Sequence, residues 1–275
     1  MKDLSKYLML LVATFAMSCQ PNAPEEVQSG EVPDTLTYSF TTIEKSIPCK
    51  DTQNKMCLDI FIEKMKLESG SSDQALANIE KTLLKAISES DNAEGETKTP
   101  EKIAENLESE YQRIAEEMPG YNLPWQYKSD FEVYLNQNGL FAAQLINYSF
   151  TGGAHPTSFL YYYTFDKENG KLLTLRDLIE PKRYDQLLRM AEAELRDSRG
   201  VDSTQTLEDA GFWFEDSRFA LNDNYKYTTR GLEIVFNPYE VAPFSEGEIV
   251  LMFPYSAIEP MVRPEYRFEK DVPAL

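Results

Sequence analysis

Residues 148–156, with the sequence YSFTGGAHP, join two runs of strand-forming residues and contain the only histidine and the only Gly-Gly pair of the chain. Glycine readily adopts the positive φ angles that tight connections need, and Pro156 favours an extended backbone at the residue before it. We therefore interpret Gly152 and Gly153 as a structural turn at the junction of two subdomains. His155, the lone histidine at this turn, is a candidate binding residue.

Strands are expected on both sides of this stretch. Residues 131–136 alternate between apolar and polar side chains, and Asn138-Gly139 is a strong hairpin signal before the run 140–150. A further strand is expected over residues 157–165, followed by a turn at 166–170. This turn resembles part of a calcium loop, but its glycine comes one position early and Asp177 stands where a glutamate is needed, so we favour a β-turn.

The rest of the chain alternates between strand and helix patterns. Strands are predicted over 36–47, 58–67, 218–228, 231–236 and 247–254, and helices over 73–87, 100–118, 178–199 and 255–261. The predicted class is α+β, with antiparallel, hairpin-built sheets packed against about three main helices. We expect an N-terminal subdomain over 36–150, a C-terminal subdomain over 151–265 and a tail over 266–275.

The N-terminus resembles a bacterial lipoprotein signal. Residues 1–18 combine two lysines with a short apolar run, and Cys19 follows Ala16-Met17-Ser18, which is similar to a lipobox. Because leucine is commonest at the position of Ala16, an ordinary cleaved secretory signal is the alternative. Residues 19–35 would then be a flexible tether, and the protein would lie in the cell envelope, in the periplasm or at the surface.

The chain is strongly acidic. Its formal net charge is −19, and removal of residues 1–18, which carry Lys2, Lys6 and Asp3, would make it −20. Such a protein repels the phosphates of nucleic acids and attracts basic partners. No nucleic-acid partner is expected, and the plain alternative is that the charge only keeps the protein soluble.

Two cysteines remain once Cys19 is assigned to a lipid. Cys49 and Cys57 form an even pair in an oxidising compartment and flank a polar loop between two strand-like runs, which favours a disulfide. We expect this bridge to be structural.

The residue counts restrict catalysis. With one histidine, a histidine-rich zinc site is excluded, and no Gly-x-Ser-x-Gly elbow or phosphate-binding loop is present in the sequence. We therefore expect no metal, no cofactor and no catalytic residue of these kinds. The sequence does not exclude a catalytic pair of carboxylates, because such residues have no fixed spacing in the chain.

Tyr161 and Tyr163 are candidate binding residues, because they share one face of a predicted strand and Tyr162 points to the other. Tyrosine can stack on a sugar or anchor a protein interface while its hydroxyl stays in water. Packing beneath a helix is the equally weighted alternative.

Four segments resemble the RsiV/PdaC-type extracytoplasmic domain family. They are 151–156 (TGGAHP), 164–178 (TFDKENGKLLTLRDL), 231–243 (GLEIVFNPYEVAP) and 249–256 (IVLMFPYS). The resemblance implies an α+β module in two parts. It also implies a basic protein partner, since this module of the anti-sigma factor RsiV binds lysozyme. The deacetylase domain of the peptidoglycan deacetylase PdaC has no counterpart here, and the family supplies no catalytic residues for this chain.

These observations favour a non-enzymatic, lipid-anchored binding protein that engages a basic protein such as lysozyme, or a cell-wall glycan such as peptidoglycan. One alternative is a hydrolase of the cell wall that uses a carboxylate pair, with Tyr161, Tyr163, Trp125 or Trp213 as sugar platforms. Another is a scaffold of the envelope.

Overall fold

The computed structural model describes residues 35–49, 55–90 and 98–268. The predicted signal peptide, Cys19 with most of the tether, and most of the tail lie outside these residues. The strands are β1 (Thr37–Pro48), β2 (Met56–Ser69), β3 (Trp125–Gln137), β4 (Leu140–Phe150), β5 (Thr157–Asp166), β6 (Tyr225–Thr228), β7 (Gly231–Phe236) and β8 (Ile249–Pro254). The helices are α1 (Asp73–Ser90), α2 (Pro100–Glu117), α3 (Leu175–Leu178), α4 (Tyr184–Arg199) and α5 (Tyr255–Ile258).

The first sheet has the order β1-β2-β3-β4-β5 and is antiparallel except between β2 and β3. The parallel pair places Leu58 opposite Trp125. Since α1 and α2 separate these two strands, the chain crosses over and returns in the same direction, whereas a short turn would reverse it. The α+β class is confirmed, and the parallel pair is the feature that the hairpin pattern did not predict.

One face of the first sheet is covered by α1 and α2. Alternation along β2 buries Leu58, Ile60 and Ile62 on this face, where they belong to the same core as Ile79 and Leu83 of α1. Thr99 caps α2 by accepting a hydrogen bond from the N–H of Lys102, directly before the predicted helix start at residue 100. This core accounts for the apolar periodicity of the N-terminal half.

The second sheet is antiparallel, in the order β6-β7-β8, and packs in another core with α4. Gly200 ends α4 in the left-handed conformation, with φ 64°. Leu135, Leu140 and Ala142 of the first sheet also belong to this second core. The second half of the chain therefore covers one end of the other face of the first sheet.

The junction between the halves is built on β5. Asn237 accepts a hydrogen bond from the N–H of Leu160 at 2.8 Å and donates to its carbonyl at 3.0 Å. Asn224 accepts from the N–H of Tyr162 and donates to the carbonyl of Leu160, both at 2.8 Å. The two side-chain amides thus replace a neighbouring strand at the edge of the sheet.

Because β5 pairs with β4 along its whole length, residues 151–156 connect two neighbouring strands of the first sheet. The expected boundary at 150/151 falls inside this hairpin, and the division into subdomains stays a prediction. The described residues belong to one unit that begins at Pro33.

The disulfide between Cys49 and Cys57 is present, with a Cα–Cα distance of 4.9 Å, and links the end of β1 to the start of β2. Other expected boundaries shift. Only 225–228 of the predicted strand 218–228 is a strand, and the long helix begins at Tyr184, since Pro181 starts a separate 3-10 turn. Among the described residues, no helix is long and apolar enough to cross a membrane.

Candidate functional site

The turn between β4 and β5 presents His155 to solvent. Gly152 has φ +84°, as a tight turn requires, whereas Gly153 does not have a positive φ. His155 Nδ1 lies 3.0 Å from the carbonyl oxygen of Pro156, and its ring stacks on Phe244 with centroids 3.8 Å apart. The only histidine therefore contacts a residue of the second half of the chain.

Phe244 also contacts a turn at 237–240. The backbone N–H of Asn237 donates to the Glu240 carboxylate at 2.9 Å, and the N–H of Glu240 donates back to the carbonyl of Asn237 at 3.0 Å. Between them, Tyr239 has φ +69° and is 53 % exposed, and its ring lies 5.5 Å from that of Phe244. A positive φ is unusual for so large a residue and costs of order 1–3 kcal/mol, and such strain clusters at functional sites.

Trp213 reaches the same turn from a third segment. Its backbone N–H donates to the carbonyl of Val241 at 2.9 Å, and its indole N–H donates to the carbonyl of Glu240 at 3.1 Å. The side chain is nevertheless 48 % exposed. We call His155, Trp213, Tyr239 and Phe244, with the acidic side chains around them, the acidic aromatic surface.

Trp213 lies in the acidic segment 201–217, which Arg196 contacts through the carbonyls of Asp202 and Gln205 and which Arg218 follows. This segment contains five carboxylates and no lysine or arginine, and all five acidic residues are exposed: Asp202, Glu208, Asp209, Glu215 and Asp216. Glu240 adds another exposed carboxylate beside Trp213. Negative charge and exposed aromatic rings thus occur together.

The two candidate tyrosines lie elsewhere. Tyr161 and Tyr163 are half-buried and pack against the first core, on the side of the sheet that α1 and α2 cover. Burial raises the pKa of both hydroxyls, and Glu240 adds to the shift of the Tyr161 pKa. Tyr162 is buried on the opposite face. The structure does not bring Tyr161 and Tyr163 together with His155 on one open surface, and their binding role stays a prediction.

Trp125, a further candidate sugar platform, is buried. It is 6 % exposed, donates from its indole N–H to the Tyr121 hydroxyl at 2.9 Å and packs edge-on against Tyr111. Of the two tryptophans, Trp213 is therefore the one available to a partner.

The glutamates of α2 differ from those of the acidic aromatic surface. Arg113 pairs with Glu110 and Glu117 at 2.6 and 2.7 Å, and Lys64 pairs with Glu101 at 2.6 Å. Glu108 is paired with Lys45. These bridges reduce the net negative charge of the helix.

Sequence reasoning identified His155 but missed Tyr239 and Phe244, which are distant in the chain. The segment 237–243 was noticed only as part of a resemblance. The Pro238-Tyr239 pair in a polar turn was the local signal that could have marked Tyr239 as exposed.

The fold defines a mixed α+β protein with two sheets. Residues 52–158 match the family model described as deacetylase PdaC, and residues 176–256 match the model described as a protein of unknown function (DUF3298). The PdaC part of the predicted resemblance is thus supported, the likeness to DUF3298 proteins is an additional finding, and neither matching model carries the name RsiV. No curated protein matches the chain.

Two solved structures share the fold. One is a DUF3298 family member from Bacteroides fragilis, with a TM-score of 0.60, 18 % identity, and coverage of 84 % of this chain and 94 % of that one. The other is a DUF3298 family protein from Pseudomonas aeruginosa, with a TM-score of 0.59, 18 % identity, and coverage of 86 % and 98 %. At this identity the likeness concerns the fold alone.

Proposed function

We propose that this chain is a non-enzymatic binding protein of the bacterial envelope that engages a basic protein such as lysozyme through the acidic aromatic surface. The observation that carries the proposal is that exposed Trp213 lies within the segment 201–217, which contains five carboxylates and no lysine or arginine, and that its indole N–H binds the turn that carries exposed Tyr239. The relationship to RsiV, whose module binds lysozyme, is part of the proposal.

This combination has the chemistry of a protein interface. Tryptophan and tyrosine are enriched among the residues that dominate binding energy, and surrounding charges steer an oppositely charged partner and fix its orientation. Trp213 and Tyr239 are held by backbone hydrogen bonds and by ring contact with Phe244, so little order has to be gained on binding.

Calorimetric titration of the chain from residue 19, with Cys19→Ser, against hen lysozyme tests the proposal. Opposite-charge steering predicts binding at low salt that weakens at least about tenfold when the NaCl concentration is raised from 50 to 500 mM. Absence of heat at both salt concentrations and at two temperatures would rule out lysozyme as the partner.

A matched pair of variants tests the surface. Replacing Glu208, Asp209, Glu215 and Asp216 by their amides removes four charges from the acidic aromatic surface and is expected to weaken binding. Replacing Glu101, Glu105, Glu110 and Glu117 of α2 by glutamine removes the same number of charges and is expected to leave affinity nearly unchanged. Equal losses would show that only net charge matters.

The membrane attachment is part of the same proposal, with Cys19 carrying the lipid. Metabolic labelling of expressing bacteria with a palmitate analogue is expected to tag the wild-type chain and not the Cys19→Ser variant. An unlabelled, processed wild-type chain would favour the ordinary secretory signal.

A carboxylate pair gives the hydrolase alternative its own observation. Glu63 and Asp130 lie near each other on neighbouring strands β2 and β3, and burial with the adjacent Asp130 raises the pKa of Glu63, which suits a general acid. Incubating purified cell walls with the protein and with Glu63→Gln tests it. Release of soluble fragments by the wild type alone would support hydrolysis, and intact walls would remove it.

A further inference from the structure

We propose that the first sheet carries a second binding site, a groove for a neutral, hydroxyl-rich saccharide chain. The groove measures about 710 Å³ and crosses β1 to β4 on the face opposite α1 and α2. Its side chains include Glu44, Asp59, Phe61, Gln126, Lys128 and Tyr148. This volume is within the range of small-molecule sites.

The strand register explains why these side chains converge. Glu44 lies opposite Phe61, Phe61 opposite Lys128, and Lys128 opposite Tyr148, so the four form one row across four strands. Three strand spacings of about 4.8 Å give the row a length of roughly 14 Å. Asp59 and Gln126 are opposite each other in the neighbouring row. The parallel pairing of β2 and β3 sets this alignment.

The groove is open because the second half of the chain covers only the other end of this face. Leu135, Leu140 and Ala142 enter the second core there, whereas Asp59, Gln126 and Lys128 are exposed. A face that carries polar side chains needs no cover to be stable, so the opening is compatible with the sequence.

The side chains fit a saccharide better than an ion or an apolar ligand. Phe61 and Tyr148 supply aromatic rings, and carboxylate, amide and ammonium groups beside them can accept and donate hydrogen bonds to hydroxyls. Lys128 lies 5.8 Å from the ring centroid of Phe61 and 3.0 Å from the Asp130 carboxylate, so its charge is balanced locally. A strongly charged ligand of either sign would meet repulsion from part of the groove.

This inference does not rest on the basic-protein proposal, since it concerns other residues and another ligand. It does not require hydrolysis by Glu63 and Asp130 either. Any one of these three proposals can be wrong while the other two are right.

Titration with tetra-N-acetylchitotetraose and with cellotetraose, followed by NMR of the chain from residue 19 with Cys19→Ser, tests the groove. We expect binding of at least one oligosaccharide, with shifts at Phe61 and Tyr148, and little dependence on salt. Tyr148→Ala and Asp59→Asn are each expected to weaken affinity by at least about tenfold, equivalent to ~1.4 kcal/mol.

Two control variants make the test specific. Thr42→Ala is a small change elsewhere on β1, and Tyr239→Ala alters the acidic aromatic surface; both are expected to leave saccharide affinity unchanged. Circular dichroism confirms that each variant is folded. Absence of binding by both oligosaccharides, or shifts confined to residues outside the groove, would overturn the inference.

Discussion

At the scale of single residues, the strongest departure from ordinary geometry is Tyr239. A positive φ at tyrosine lowers the free energy of unfolding relative to a residue that tolerates this conformation. The Tyr239 ring nevertheless lies in solvent beside Phe244. Asn237, two positions earlier, holds the same turn on the edge of β5. One residue of the turn thus maintains the fold, and the other exposes an aromatic ring.

Tyr239→Asn is expected to separate stability from binding. Asparagine tolerates a left-handed backbone far better than tyrosine, so the free energy of unfolding should stay the same or rise by up to about 1 kcal/mol despite the lost ring contact. Lysozyme affinity should fall by about tenfold. Urea unfolding and calorimetry measure the two effects, with Met252→Asn in β8 as an exposed control that gains no stability. A loss of more than about 1 kcal/mol in Tyr239→Asn would show that the backbone is not strained.

Asn237→Asp is expected to destabilise the protein. The carboxylate can still accept from the N–H of Leu160 but cannot donate to its carbonyl, which then keeps only the hydrogen bond from Asn224. The lost hydrogen bond costs about 0.5–1.5 kcal/mol. Asn169→Asp, in an exposed turn, is the control in the same denaturant measurement, and equal losses in the two variants would contradict this role of Asn237.

At the scale of elements, the periodicity of the sequence predicted where helices and strands lie better than it predicted which strands pair. The hairpin at Asn138-Gly139 and strand β7 follow from local patterns, and each is where the sequence indicated. The parallel pairing of β2 with β3 and the closing of β5 by Asn224 depend on contacts between distant segments. For the same reason His155 could be singled out, whereas its partner Phe244 could not.

The disulfide contributes at this scale. Reduction, or Cys49→Ser with Cys57→Ser, is expected to lower the free energy of unfolding by about 2–3 kcal/mol, because the bond closes a loop with a sequence separation of 8 residues. Chemical denaturation with and without reductant measures this. Since the bridge is on the first sheet and far in sequence from Trp213, lysozyme affinity at low temperature should not change; a parallel loss of affinity would contradict a purely structural role.

At the scale of the whole molecule, buried tyrosines set the alkaline limit of stability. Burial raises the pKa of Tyr225 and of Tyr227 above the usual value near 10. The unfolded chain therefore loses these protons at lower pH than the folded protein does. Stability is retained below pH 10 and falls as the pH rises further, by about 1.4 kcal/mol per pH unit for each such tyrosine.

Urea unfolding at pH 8, 9, 10 and 11 checks this prediction. Tyr225→Phe, which removes one titrating hydroxyl, should be less stable at pH 8 because the bond to the Leu173 carbonyl is lost, and should show a shallower decline above pH 10. An identical decline in the variant and the wild type would contradict the assignment.

We expect a basic partner to dock on the acidic aromatic surface and not on the other acidic parts of the molecule. Hydrogen–deuterium exchange of the chain from residue 19, with Cys19→Ser, alone and with saturating lysozyme, measures where it docks. Slower exchange is expected in segments 202–217 and 237–246, with α2 unchanged. Protection confined to α2, or spread evenly over the exposed acidic segments, would contradict it.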